Sequence, residues 1–302
     1  MHTTFRALGT RVRVTVLAAS ESEADGLVDL AGPMLEHLES RWSRFRPGSE
    51  LSRLNAAGGA PVMLSDDTFD AVAHALEAWR ATDGRFDPTV LPSLIALGYD
   101  RDFRSVLPDG PAPAVVVPGG CADIVIDPIV RCVTLPVDVS LDLGGIGKGL
   151  AADRLAATLL EGGAVGVCVD LGGDVHVAGV GPLGGPWPIL IQDPLGTGAT
   201  GALAIREGAV ATSTRLVRAW VRGGRRVHHI VDPRTGDCAE TGLTSVTVVS
   251  GSTWWAEVLA KAAFVAGPTA GAALLAAAGV TGLFVHDDGR VTELPGLAAF
   301  RP

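Results

Sequence analysis

The clearest periodic segment of the chain lies near its start, where apolar and polar residues alternate. Over residues 10–17 a valine occupies every second position and alternates with arginine or threonine, and this period of two predicts a half-buried β-strand. The period then changes, because leucine and methionine recur at helical spacing over residues 21–41, where Pro33 kinks or divides the predicted helix. A second amphipathic helix is predicted over residues 66–82, behind the cap residue Ser65.

Strand-like and helix-like runs continue along the chain without a regular alternation. Strands are predicted over residues 137–143, 187–192, 202–206, 226–231 and 244–249, and helices over residues 148–161 and 254–265. The Pro/Gly-rich residues 107–120 form a candidate internal boundary within one domain that we expect to span residues 1–302. Helices at the front and strands in the middle predict an α+β fold with antiparallel-rich sheets and flanking helices, not a doubly wound sheet.

An uncharged stretch over residues 262–285 has roughly the length of a membrane span. Proline and glycine interrupt it at Gly267, Pro268, Gly271, Gly279 and Gly282. A buried helix near residues 269–278, followed by a strand near residues 281–286, explains the stretch better. We therefore expect no membrane insertion.

Charge and cysteine spacing exclude two classes of partner. The formal net charge of -9 argues against the broad basic face that binds a phosphate backbone, so we expect no nucleic acid partner. The four cysteines have no zinc-site spacing with the scattered histidines. The first residues contain no apolar segment followed by a small-residue cleavage site, which predicts a cytoplasmic protein.

The segment richest in glycine, residues 137–163, predicts a strand, a tight turn and a helix. Such a turn lets backbone N–H groups approach a phosphate at a helix N-terminus. The Walker pattern fails, because Gly149 stands where serine or threonine would follow the lysine. Gly147, Gly149 and Ala152 match the dinucleotide-binding pattern G-x-G-x-x-A, with Asp170 at the end of the next strand. A phosphate cradle, a dinucleotide turn and a tight structural corner all remain open.

Two further segments contain residues that can carry chemistry. His228 and His229 are adjacent in a predicted strand and therefore face opposite sides, so at most one points into a given site. Such a histidine serves either packing or acid/base catalysis. Glu257 and Lys261 have the spacing of an ordinary helical ion pair. The chain has two lysines, Lys148 and Lys261, among 24 basic residues, which suggests that a compact ammonium is needed at those positions.

Taken together and in order, these segments resemble the ApbE family of FAD:protein FMN transferases. The matching motifs are ALGT at 7–10, RFRPGSELSRLN at 44–55, GRFDPTV at 84–90, LDLGGIGKG at 141–149, DLGGDV at 170–175, PW at 186–187, ATS at 211–213 and HHIVDPRTG at 228–236. Each motif alone is weak support, and their common order along the chain carries the resemblance.

The resemblance implies a two-subdomain, T-fold-like α+β structure that binds FAD between its halves. It also implies transfer of FMN to a Thr or Ser hydroxyl of an acceptor flavoprotein, with release of AMP. Carried over by position, the residues expected to line the FAD are Leu8, Phe45, Arg85, Phe86, Asp87, Asp142, Lys148, Ser213, His229 and Val231. The same comparison gives His229 a role in proton transfer, with Asp232 as a second catalytic residue.

The family pattern also implies Mg²⁺, and here the sequence departs from it. The family's ligands are a backbone carbonyl at the position of Gly145 and an Asp and a Thr four residues apart, which are Glu257 and Lys261 in this chain. Glutamate can bind magnesium, whereas an ammonium repels it. We therefore expect less dependence on Mg²⁺ or a loss of transfer. The alternatives are a flavin-binding or FAD-hydrolysing relative and, more remotely, an NAD-dependent oxidoreductase built on the G-x-G-x-x-A turn.

Overall fold

The computed structural model describes residues 1–106, 109–196 and 198–302. The α-helices of these residues are α1 (Glu21–Asp29), α2 (Ala31–Trp42), α3 (Glu50–Asn55), α4 (Asp66–Ala81), α5 (Leu91–Ala96), α6 (Gly147–Glu161) and α7 (Thr253–Ala277). Short 3-10 helices occur at Phe103–Ser105, Cys121–Asp123, Pro182–Gly184 and Leu297–Phe300.

The strands are short to medium in length and are distributed along the whole chain. They are β1 (His2–Ala7), β2 (Thr10–Leu17), β3 (Val62–Met63), β4 (Val125–Asp127), β5 (Cys132–Thr134), β6 (Gly166–Leu171), β7 (Asp174–Gly179), β8 (Trp187–Gln192), β9 (Ala199–Ile205), β10 (Gly208–Thr214), β11 (Ala219–Arg222), β12 (Arg225–His228), β13 (Val231–Asp232), β14 (Asp237–Cys238), β15 (Leu243–Ser250), β16 (Thr281–His286) and β17 (Val291–Glu293).

The chain folds as two compact units, and the first consists of Met1–His37, Lys148–Thr214 and Gly242–Pro302. Its centre is an eight-stranded sheet in the order β1-β2-β6-β7-β10-β15-β16-β17. Every neighbouring pair in this sheet is antiparallel. The hairpin β8-β9 packs its apolar side against the sheet through Ile189, Leu203, Val177 and their neighbours. The α+β class and the antiparallel sheets are therefore confirmed.

Helix α7 packs against β10 and β15, and its buried residues lie mostly before Gly267. By length and composition alone α7 could cross a membrane. Gly267, at φ 80°, interrupts the helical backbone just before Pro268. The predicted helices at 254–265 and 269–278 are therefore the two halves of one broken helix, and the first half belongs to the core of the first unit.

Helices α6 and α7 approach so closely that one position must be glycine. A Cβ built on Gly149 would lie 2.4 Å from the Cα of Trp254 and 2.6 Å from its backbone nitrogen. Because backbone atoms cannot move aside as a side chain can, only glycine fits there. Gly149 thus serves the packing of α6 against α7, which the sequence did not predict.

The second unit consists of Leu38–Gly147 and Arg215–Thr241. It contains a three-stranded sheet in the order β3-β5-β4 and the hairpins β11-β12 and β13-β14. Its core includes buried side chains from α5, from the residues just after it, and from β11 and β12, among them Leu94, Leu97, Tyr99, Trp220 and Val227. Of the predicted boundary 107–120, residues 107 and 108 lie outside the described residues, and 109–120 lie within this unit.

Most predicted elements are present, with shifted ends. The strand at 10–17 is β2, and the helix predicted over 21–41 is divided into α1 and α2. Ser65 stands at the N-cap of α4, but its hydroxyl donates to Glu50 at 2.8 Å. The predicted strand at 226–231 is broken at His229 into β12 and β13.

The predicted strand at 137–143 is wrong, because these residues form irregular backbone. At Leu141 the side-chain amide of Asn55 makes the two backbone hydrogen bonds that a neighbouring strand would make. Its nitrogen donates to the carbonyl of Leu141 at 2.9 Å, and its oxygen accepts from the N–H of Leu141 at 2.8 Å. Asparagine thus satisfies buried backbone groups that a sheet would otherwise pair.

Replacement of two helical glycines by alanine should have opposite effects. Gly149→Ala should lower the free energy of unfolding by about 2 kcal/mol or more, because the new methyl overlaps the backbone of Trp254. Gly26→Ala, in α1, meets no atom within 4 Å and should raise the same free energy by up to about 1 kcal/mol. Chemical denaturation of both variants checks this, and equal effects would show that the close approach is not a constraint.

Candidate functional site

A buried arginine organises the second unit near the glycine-rich turn. The Nε of Arg44 lies 3.0 Å from Oδ2 of Asp142, and an Nη of Arg44 donates to the carbonyl of Tyr99 at 2.8 Å. Its guanidinium lies over two aromatic rings, 4.2 Å from the centroid of Phe45 and 4.6 Å from that of Tyr99. Stacking and hydrogen bonds together fix the plane of the guanidinium.

Asp142 begins the glycine-rich turn and holds its backbone in place. Its Oδ1 accepts from the N–H of Gly144 at 2.6 Å, and its own N–H donates to the carbonyl of Pro88 at 2.8 Å. The turn continues through the half-exposed Gly145, and α6 begins at Gly147. The carboxylate of Asp142 therefore shapes the turn and pairs with Arg44 at the same time.

A chain of contacts runs from Arg44 to His229 within the second unit. The hydroxyl of Tyr99 accepts from an Nη of Arg218 at 3.1 Å. The carbonyl of Arg218 accepts from the backbone N–H of His229 at 3.2 Å and lies 3.4 Å from its Nδ1. Burial raises the pKa of Tyr99, so its hydroxyl stays protonated at neutral pH. The turn at Asp142 and the segment at His229 are thus linked through the side chains and carbonyls of three intermediate residues, Arg44, Tyr99 and Arg218.

Two of the residues expected to line the FAD are buried in the packing of the unit, and their contact with FAD stays a prediction. Val231 is 6% exposed and lies in the same core as Tyr99 and Trp220. Phe86 is 5% exposed, and its N–H donates to the hydroxyl of Thr82 at 3.1 Å. These side chains support the site and present little surface to a ligand.

The charged neighbours of Phe86 also have local partners. An Nη of Arg85 donates to the carbonyl of Thr82 at 3.3 Å. Oδ1 of Asp87 accepts from both the N–H and the hydroxyl of Thr89, at 2.7 and 2.6 Å. Asp87 therefore shapes its own turn, and ligand contact by Arg85 and Asp87 stays a prediction.

The two adjacent histidines have different environments. His228 is 7% exposed, and its Nδ1 accepts from the N–H of Ile230 at 3.3 Å. Burial, reinforced by the positive charge of Arg215, lowers the pKa of His228 to about 4. His229 is half-buried and follows the end of β12. His228 is thus a neutral core histidine, and His229 is the better placed of the two for proton transfer.

The carboxylate of Asp232 is held by Arg234. The guanidinium of Arg234 donates to both carboxylate oxygens, at 3.0 and 2.7 Å. Burial alone would raise the pKa of Asp232, but the hydrogen bonds from Arg234 outweigh it and lower the pKa. A carboxylate with a lowered pKa is a weak base, so the catalytic role predicted for Asp232 gains no support from its surroundings.

In the first unit, a cluster of four charged side chains joins the start of α6 to α7 and β7. Nζ of Lys148 lies 2.7 Å from Oδ2 of Asp174 and hydrogen-bonds Oε1 of Glu257. Nζ of Lys261 donates to the same Oε1 at 3.0 Å. Oε2 of Glu257 accepts from the N–H of Gly149 at 2.8 Å. Lys148, one of the residues predicted to contact FAD, is therefore held between two carboxylates.

The ionisation of this cluster follows from its pairing. Burial alone would raise the pKa of Glu257, but the ammonium groups of Lys148 and Lys261 outweigh burial and lower the pKa to about 2. Burial likewise opposes the charge of Lys148, whose pKa the carboxylates of Asp174 and Glu257 nevertheless raise. Burial lowers the pKa of Lys261 against the attraction of Glu257.

Two further predicted ligand residues lie in the first unit. Leu8 is in the turn between β1 and β2, with φ 51°, and is half-buried. Ser213 is 5% exposed in β10, where it pairs with Val246 of β15. Contact of either residue with FAD stays a prediction.

The residues at Glu257 do not fit a magnesium ion. Mg²⁺ requires oxygen ligands at about 2.0–2.1 Å, and both oxygens of Glu257 already accept N–H donors. The position expected for a threonine ligand holds the ammonium of Lys261. Among residues 1–106, 109–196 and 198–302, no cluster of three His, Cys, Asp or Glu residues suits a metal.

Comparison with known proteins identifies the family. The family model described as "ApbE family" matches residues 8–284. The chain belongs to the ApbE family. Curated relatives of this ApbE chain include FAD:protein FMN transferases of Treponema pallidum, 31% identical over 96% of this chain and 85% of that protein, and of Rhodobacter capsulatus, 31% identical over 98% and 57%.

Solved ApbE structures share its fold over nearly the whole length. The ApbE protein of Thermotoga maritima has a TM-score of 0.90 at 27% identity and covers 100% of this chain and 99% of its own. The apo form of the flavinyl transferase ApbE from Pseudomonas stutzeri has a TM-score of 0.83 at 26% identity, covering 99% and 96%. The two-unit α+β architecture is therefore that of the ApbE family.

Sequence analysis of this ApbE chain missed four side chains that organise its charged and aromatic clusters. They are Arg44, Tyr99, Asp174 and Arg218. Two signals were available, since Arg44 and Asp174 lie inside the motifs at 44–55 and 170–175. No motif marks Tyr99 or Arg218, because their contacts join segments that are distant in sequence.

Loss of the Arg44 guanidinium should destabilise the ApbE fold. Arg44→Leu leaves Asp142, whose side chain is 11% exposed, without its cation and should lower the free energy of unfolding by about 3 kcal/mol. The control is Arg46→Leu, because Arg46 is 39% exposed and lies 3.7 Å from Glu39, a surface pair worth about 0.5 kcal/mol. Urea denaturation measures both, and an equal loss would contradict the role given to Arg44.

His228 should make the protein less stable in mild acid. The histidine has an ordinary pKa of 6.5 when unfolded and about 4 when folded, so the unfolded state binds its proton first as the pH falls. The stabilisation is complete above pH 6.5 and is lost between about pH 6.5 and pH 4. His228→Gln should flatten the decline of the unfolding free energy over that range. If the unfolding free energy of the variant had the same pH dependence as that of the parent, His228 would not be buried in its neutral form.

Proposed function

We propose that this protein binds FAD and transfers its FMN half to a threonine or serine hydroxyl of an acceptor flavoprotein, releasing AMP. The observation that carries the proposal is the ApbE family match over residues 8–284. Curated relatives that are 30–31% identical to this chain are named FAD:protein FMN transferase. The family match supplies the chemistry.

The reaction exchanges a phosphoanhydride bond of FAD for a phosphoester bond to the acceptor. The acceptor oxygen attacks the phosphorus on the FMN side of the diphosphate, a new P–O–C bond forms, and the P–O bond to AMP breaks. The hydroxyl proton must leave, and AMP departs with the bridging oxygen. Catalysis of such a step depends mainly on positioning and on neutralising phosphate charge.

His229 is the proposed proton acceptor for the hydroxyl. Its Nδ1 lies 3.4 Å from the carbonyl of Arg218, which favours the tautomer that carries the proton on Nδ1. The other ring nitrogen, Nε2, is then the basic one. Arg218 in turn contacts Tyr99, so the histidine segment is fixed relative to the aromatic cluster.

Positive charge and planar surfaces are the other requirements for FAD. The ring of Phe45, 37% exposed and backed by the guanidinium of Arg44, suits stacking with a flavin or adenine ring. We propose that Lys148, which follows the glycine-rich turn in sequence, is the cation that approaches the diphosphate. The reaction as proposed uses no step through Mg²⁺, because both carboxylate oxygens of Glu257, which would have to bind the ion, already accept N–H donors.

The rival functions differ in what they consume and release. Hydrolysis of FAD would use water in place of the acceptor hydroxyl. An NAD-dependent oxidoreductase would need a parallel βαβ unit, but the neighbouring strands in the described part of the chain are antiparallel, and Asp170 accepts the N–H of Gly173 at 2.8 Å in a β-turn. The net charge of -9 argues against a nucleic acid partner. The cytoplasm stays the predicted compartment.

The transfer reaction should depend on His229. With FAD and an acceptor flavoprotein, intact-mass analysis should show one added FMN unit on the acceptor and an equal amount of AMP. His229→Ala should reduce the rate roughly 10²- to 10⁴-fold, with little change in FAD affinity, whereas His2→Ala on an exposed strand position should match the parent. AMP release without a change in acceptor mass would favour hydrolysis, and melting-temperature gains with NAD but not FAD would favour the oxidoreductase.

A further inference from the structure

The charged cluster of the first unit contains two cations and two anions in balance. Lys148 bridges Asp174 and Glu257, and Lys261 pairs with Glu257 from one helical turn later. The carboxylates of Glu257 and Asp174 are 1% and 4% exposed, and the two lysine side chains are 18% and 17% exposed. Two ammonium groups and two carboxylates sum to a net charge of zero.

The carboxylate of Glu257 already accepts three N–H donors. Its Oε1 accepts from the ammonium groups of Lys148 and Lys261, and its Oε2 accepts from the N–H of Gly149. A magnesium ion bound to Oε1 at about 2.1 Å would lie within about 5 Å of both ammonium nitrogens. Like-charge repulsion in this buried place would oppose its entry.

Lys261 is held where it is by the helix that carries it. Its Nζ also lies 3.4 Å from the backbone carbonyl of Glu257. The N-terminus of α7 is fixed in turn by Asp153, whose carboxylate accepts from the N–H groups of Thr253 and Trp254 at 2.8–3.0 Å. The ammonium therefore has a defined place about two turns along a helix whose N-terminus is capped.

We propose that Lys261 is a built-in cation, whose ammonium takes the place of a divalent ion at Glu257, so that this chain binds its diphosphate substrate without divalent metal. The statement about substrate rests on the proposed function, namely that the diphosphate is FAD. The statement about Glu257 rests on the cluster alone. Removing the ammonium of Lys261 leaves the cluster with a net charge of −1 and a carboxylate oxygen that has lost one donor.

The first experiment measures FAD affinity of the parent protein by flavin fluorescence, with MgCl₂ and with excess EDTA. The two dissociation constants should agree within about two-fold. Affinity at least ten-fold weaker in EDTA, and restored by MgCl₂, would overturn the built-in cation. Absence of FAD binding in both buffers would count against the proposed function, and the second experiment, which contains no FAD, then decides the question at Glu257.

The second experiment uses MgCl₂ alone and the variant Lys261→Thr, which replaces the ammonium by an oxygen ligand. Magnesium at ten times its dissociation constant should raise the melting temperature of the variant by roughly 2 °C and leave that of the parent unchanged. The double variant Lys261→Thr with Glu257→Gln should lose this response, because the anionic ligand is gone. Calorimetric titration of the parent with MgCl₂ should detect no binding. This measurement tests the proposal even if a variant fails to fold.

Two results would overturn the proposal in this experiment. One is a rise in the melting temperature of the parent equal to that of Lys261→Thr, since the ion would then bind beside the ammonium. The other is a folded Lys261→Thr protein that shows no response to MgCl₂, since the ammonium would then not be what excludes the ion.

Discussion

The close approach of helices α6 and α7 is the constraint on which the charged cluster depends. At Gly149 the two backbones are so near that a single methyl would overlap Trp254. The same approach brings the N–H of Gly149 to 2.8 Å from the carboxylate of Glu257, beside Lys148. Without it, the lysine of the glycine-rich turn and the glutamate of α7 would belong to separate surfaces.

Sequence periodicity predicted elements whose partners are close in the chain or whose faces are clearly amphipathic. Strand β2 and helix α4 follow this rule. The segment 137–143 has the pattern of a strand, because a valine or leucine alternates with a polar residue. The backbone N–H and carbonyl of Leu141 are nevertheless hydrogen-bonded by the side chain of Asn55, 86 residues earlier. A side chain that replaces a neighbouring strand leaves no periodic signal, so the pattern alone could not distinguish the two cases.

The candidate site was predictable to the extent that its residues lie in motifs. Lys148 and Asp142 lie within contact networks and His229 lies at the end of one, whereas Phe86 and Val231 are packed in the core. Residue types do not reveal which neighbour satisfies them: the carboxylate of Asp232 is taken by Arg234, only two positions away. Tyr99 and Arg218 could not be predicted, because they are brought together by tertiary packing alone.

The tyrosine that links Arg44 to Arg218 is the single tyrosine of the 302-residue chain. Its ring centroid lies 5.5 Å from that of Trp220, within the range of efficient excitation transfer between the two chromophores. A phenol-selective label, or the absorbance change of phenol ionisation, would therefore originate from one known place. The protein thus carries an intrinsic optical reporter beside the network that leads to His229.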